Sequence, residues 1–84
     1  MSRRPSILVI NPNSNEAVTK GLEAALAPLA FKDGPAIECV TLKEGPFGIE
    51  TQADAESVTM PLRRLVDADK TSAAFIIACY FIES

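Results

Sequence analysis

The sequence predicts an α/β fold: a three-stranded parallel sheet of strand order 2-1-3 with a helix on each face. Two observations carry that expectation. Three short aliphatic and β-branched runs, ILVI (7–10), AIECVTL (36–42) and AAFIIACY (73–80), alternate with two segments of helical spacing. Each intervening segment is also long enough to return the chain for a parallel crossover.

The first run is continuously apolar, as a strand covered on both faces requires, and Pro12 stops its ladder. Residues 13–30 then place Val18, Leu22, Ala25, Leu26 and Leu29 on one helical stripe. Asn13 and Glu16 stand as N-cap and N3 of a capping box, with Ser14 as the rival cap. Gly21 weakens this helix, and Pro28 kinks it or limits its last turn. FKDGP is turn chemistry. The second strand is of mixed polarity and therefore nearer an edge. After the loop KEGPFGIE, residues 51–69 carry the stripe Ala55, Val58, Leu62, Leu65 and Val66, with Thr51 and Asp54 as cap and N3 partner. Pro61 inside the stripe predicts a kink or two consecutive short helices. The third strand is the most apolar, and its bare edge invites pairing with a second copy or with another segment.

Composition excludes several classes. A net charge of -3 with only eight Lys and Arg argues against nucleic acid, which needs a clustered basic face. Arg3 and Arg4 are too short a cluster, and the apolar run behind them is too short for a signal peptide. No stretch approaches a membrane span, so a soluble cytoplasmic protein is expected. There is no histidine, which removes Ser-His-Asp and Cys-His catalysis and the usual zinc sites from these residues. No metal site is expected. Cys39 and Cys79 lack CxxC spacing and are expected as reduced thiols.

In open parallel sheets, ligands bind beyond the carboxyl ends of the strands, where the strand order switches. Asn11–Ser14 after the first strand, the GPFGIE loop after the second and Cys79-Tyr80 after the third converge there. The NPNSN turn offers amides, a hydroxyl and backbone N–H groups suited to a carboxylate or enolate oxygen; equally, Asn13 and Ser14 are ordinary helix caps. The GPFGIE loop has neither Walker nor dinucleotide spacing and reads as a Gly-Pro turn, with Glu50 an exposed residue before the helix. Cys39 reads as a small core residue. Cys79 reads either as core filler or as a thiolate at a strand's end.

ILVINPNS, GPFGIET and AAFIIACY, in this order and spacing, resemble the Asp/Glu/hydantoin racemase family, most closely its hydantoin and allantoin racemase branch. The resemblance implies two flavodoxin-like lobes related by a pseudo-twofold axis, and no cofactor. It also implies a small carbon-acid substrate held between two cysteines, one base and one acid. By position, Cys79 matches the first-lobe catalytic cysteine. Pro12 and Asn13 match the turn lining the substrate pocket, Ile49, Glu50 and Thr51 the bordering loop, and Tyr80 the position after the cysteine. Cys39 matches no catalytic position. The family continues past its cysteine into Asp-Pro, whereas this chain reads Phe81-Ile82-Glu83-Ser84. Residues 1–84 are therefore expected to be a truncated N-terminal lobe carrying half of a site, with FIES outside the family pattern. The competing reading is a non-catalytic α/β module that binds a small anion at the NPNSN turn.

Overall fold

In the computed structural model, which describes residues 5–78, three strands and three helices follow in order. They are β1 (Ser6–Asn11), α1 (Glu16–Leu26), β2 (Ala36–Thr41), α2 (Gln52–Ser57), α3 (Thr59–Ala68) and β3 (Ala74–Ile77). The sheet is parallel and ordered β2-β1-β3, as the run of segments predicts. Cys79 and Tyr80, expected at the end of the third strand, lie outside the described residues.

The register assigns the two faces. Val9 pairs with Cys39 and Ile76, while Leu8 pairs with Glu38 and Phe75. Successive side chains on a strand point to opposite faces. Ile37 and Cys39 share a surface cleft with Glu23 and Leu26 of α1, and Leu8 and Val40 share another with Leu65 and Ala68 of α3. One helical layer therefore covers each face. Leu8, Val9 and Ile10 of the middle strand are buried, and a second cluster of Leu42, Ile49 and Val58 packs with Ala55 and Leu62 at the strands' carboxyl end. β3 is the thin side of the sheet: Ile76 and Ile77 are each 51 % exposed.

Both prolines act as their chemistry dictates. α1 stops at Leu26, and Pro28 sits in a 3-10 turn over Ala27–Leu29, where its missing N–H and ring would have broken an α-turn. The second helical stripe divides at Val58 into α2 and α3, and Pro61 falls in the first turn of α3, where an N–H has no intrahelical partner. The α1 stripe differs from expectation. Val18 and Leu29 are exposed, while Thr19 is buried with Leu22 and Leu26 beside it on the inner face. A polar residue thus takes an inner position, and the reason lies at the candidate site.

Candidate active site

Asn11, the last residue of β1, is completely buried. A buried amide must be satisfied on all sides, and this one is. Its Nδ2 donates to the Asn15 carbonyl at 3.1 Å and to Thr19 Oγ1 at 3.0 Å, and its Oδ1 accepts the Asn13 N–H at 3.1 Å. Thr19 Oγ1 contacts Thr41 Oγ1 at the end of β2, and the Thr41 hydroxyl donates to Glu16 Oε2 at 3.1 Å. The donor sense follows from valence. The Asn15 carbonyl is only an acceptor, so the Asn11 amide is oriented; Thr19 accepts from it and has one hydrogen left, which goes to Thr41. The hydrogen of Thr41 then goes to the carboxylate. A one-way chain runs from the buried amide to an exposed acid.

This network corrects the expected cap of α1. Asn15 is the N-cap, accepting the Ala17 N–H at 3.0 Å, and Glu16 is the first helical residue rather than the third. Asn13 is held back because its own N–H is taken by Asn11 and its Oδ1 accepts the Asn15 N–H at 2.9 Å. The expected supply of free backbone N–H groups is also corrected. Those of Asn13, Ser14, Asn15, Ala17 and Val18 all have internal acceptors. Among the described residues, the Asn13 amide N–H₂ and the Ser14 hydroxyl have no acceptor, and both residues are half-buried. Donation to a ligand from residues 13–15 therefore rests on side chains.

The loop before α2 is locked to the turn. The Ser14 N–H donates to the Pro46 carbonyl at 2.8 Å, and a Cβ on Gly45 would collide with the Pro12 carbonyl oxygen. The Pro12 side chain is fully buried. The Leu42 N–H donates to the Asn11 carbonyl at 2.9 Å, and the Ala78 N–H to the Ile10 carbonyl at 2.9 Å. The carboxyl ends of all three strands thus meet at Ile10 and Asn11.

Of the residues expected to border the site, Ile49 turns its side chain into the core cluster. Thr51 and Asp54 form the anticipated capping box, with Thr51 Oγ1 accepting the Asp54 N–H at 3.0 Å. Glu50 is exposed, and its backbone N–H is bound by Asp54 at 3.0 Å. That hydrogen bond is the main cause holding the Asp54 carboxyl below its ordinary range, with the bonds from Thr51 adding to it. Cys39 is a free thiol on the α1 face, two residues before Thr41 along β2, in a cleft with Glu23 and Leu26. Burial pushes its thiol pKa up, and the Glu23 charge adds to the rise, so it is a poor thiolate. Among the described residues, no group of three or more His, Cys, Asp or Glu is arranged to hold a metal ion, and no helix is long and apolar enough to cross a membrane.

A parallel α/β sheet whose strand ends converge on a polar turn is a scaffold for binding a small molecule at that end. A family model described as Asp/Glu/Hydantoin racemase matches residues 7–82, and the chain belongs to that family. The match runs through Ile82, into the FIES stretch that the sequence reading set outside the family pattern. The hydantoin racemase of Pseudomonas sp. (strain NS671) is 38 % identical over 77 residues, which span 88 % of this chain and 30 % of that relative. The chain thus corresponds to about a third of the length of the curated relative it matches. No solved structure matches it significantly.

Proposed function

We propose that this chain contributes one side of the active site of a cofactor-independent racemase acting on a carbon acid, such as a five-substituted hydantoin, allantoin or an amino-acid-like compound. Cys79 serves as one of two acid–base thiols, and residues 1–84 form the first of two lobes. Inverting a carbon centre needs a base on one face and an acid on the other, and a thiol titrates near enough to neutrality to take either role. One thiolate removes the proton from the acidic carbon, leaving its electron pair delocalised as an enolate. The thiol of the second lobe delivers a proton to the opposite face. Asn13 and Ser14 side chains donate to the developing oxyanion, Glu50, Thr51 and Tyr80 border it, and the buried Pro12 and Ile49 support the turn and the loop from behind.

The observation that carries this reading is the Ala78–Ile10 hydrogen bond. It ties the chain leaving β3 beside the Asn11–Ser14 turn, one peptide unit before Cys79. The competing reading, an anion held by backbone N–H groups of the NPNSN turn, is weakened because those groups are already committed.

Iodoacetamide labelling followed by mass spectrometry tests the proposal. Cys79 should react at least about tenfold faster than Cys39, whose thiol is held protonated, and 5-benzylhydantoin should protect it. Equal labelling of both cysteines with no protection overturns the reading. With the second thiol supplied by another lobe, racemisation by these 84 residues alone should be negligible in polarimetry.

A further inference from the structure

We infer that Asn11, Thr19 and Thr41 act as positioning residues for substrate binding: their one-way hydrogen-bond chain, ending on Glu16, fixes the turn that aims the Asn13 amide at the ligand. The inference rests on the function proposed above and assigns roles to residues that touch no substrate.

Two features distinguish this chain from ordinary helix anchoring. First, it is built at a cost. Asn11 is 0 % and Thr19 4 % exposed, and burying polar groups is unfavourable unless each is paired. An apolar pair would pack α1 against β1 as well. Second, its geometry acts on the turn rather than on the helix alone. Asn11 Oδ1 holds the Asn13 N–H while Asn13 Oδ1 holds the Asn15 N–H. With backbone and side-chain oxygen both restrained, the Asn13 amide plane is fixed and its N–H₂ stays uncommitted among the described residues. The carboxylate at the far end completes the polarity: each donor faces an acceptor, and Glu16 accepts the last hydrogen. Bonds aligned in this way reinforce one another. Removing the Thr19 hydroxyl interrupts the chain in the middle, leaving one Asn11 N–H without an acceptor and the amide held only by its bonds to the Asn15 carbonyl and the Asn13 N–H.

The experiment is the protection of Cys79 from iodoacetamide by 5-benzylhydantoin in the full chain, with folding followed by far-ultraviolet dichroism. Thr19→Val preserves shape and removes the hydroxyl; it should raise the half-protecting concentration about tenfold, the scale of one buried hydrogen bond. Thr19→Ser restores the hydroxyl and should return it to within about twofold of the parent. Thr41→Val, nearer the surface, should raise it about threefold and provides the test if Thr19→Val does not fold. A folded Thr19→Val protected at the parent concentration overturns the inference, as does equal weakening in the Val and Ser variants. If Thr19→Val does not fold, parental protection in Thr41→Val overturns it instead. Protection in the parent with indifferent variants removes only this inference. No protection in the parent removes the proposed function as well.

Discussion

The two helices that begin at the carboxyl end of the sheet are started in opposite ways. α2 opens with a self-contained capping box: Thr51 and Asp54 bind each other's backbone N–H groups within four residues, at the surface. α1 opens with Asn15, but Asn15 is held there by Asn11 and Asn13, and Asn11 is held by Thr19 from the next turn, which is itself bound to Thr41 from another strand. The first device stabilises a helix wherever it occurs. The second fixes one helix to one sheet and shapes the turn between them. A structural start can be local, whereas a start that also presents a ligand-binding group is expected to draw on the surrounding fold.

That contrast breaks most sharply at Asn11. Asn11→Leu would leave the Asn13 N–H without an acceptor and take one donor each from Thr19 Oγ1 and the Asn15 carbonyl, which keep Thr41 and the Val18 N–H, at a cost of about 3 kcal/mol. Urea denaturation measures it, and a loss below about 1 kcal/mol would mean that the network is readily replaced. Gly45→Ala tests the seam between the two starts, since its methyl meets the Pro12 carbonyl rather than a movable side chain. A loss of about 2 kcal/mol is expected from such overpacking, with a parental midpoint as the contrary result. Thr51→Ala should cost about 1 kcal/mol, the usual value of a lost cap. Because that cap is local, its cost should add to that of Thr19→Val when the two changes are combined; a combined loss of stability departing from the sum by more than about 0.5 kcal/mol would erase the distinction between the two starts.

The smallest effect is in acid. Asp54 is held below its ordinary range by N–H donors, and Asp69 is lowered to about 2 by the Ser72 hydroxyl and N–H, together with the Thr71 N–H. In both, the folded pKa lies below the unfolded one, so the unfolded chain takes up protons first as pH falls. Their contribution is complete above pH ~4 and is lost on descending towards pH ~2. Asp69→Asn should flatten that part of a stability–pH curve, and an unchanged slope would remove Asp69 from the account.

The α2 cap was legible in the sequence because its logic fits within four residues, and the strand order because apolar runs and crossover lengths constrain it. The α1 cap was not. NPNSN offers Asn13, Ser14 and Asn15 within three positions, and local spacing does not separate them; the Asn11 side chain, taking the Asn13 N–H, decides. Asn11 itself reads as a strand-ending polar residue before a proline, with nothing local to say that it is buried. One signal was present. Thr19 lies three residues before Leu22 and seven before Leu26, which places a hydroxyl on the helix's inner stripe. A polar residue there needs a partner, and the only elements within reach are strand ends. The resemblance names Ile49 as a bordering residue, but the inward turn of its side chain follows from packing against Leu42 and Val58, which lie far apart along the chain.

The register of the sheet also sets an order of events on the ribosome. The middle strand is made first, yet Ser6 waits for Ala36, and Ile7 waits on its other side for Ala74. Contacts so distant along the chain close late and leave apolar edges uncovered meanwhile. Until residues 74–77 emerge, the most buried strand of the finished sheet has one edge unpaired, so the nascent chain carries its eventual core as its stickiest surface up to that point.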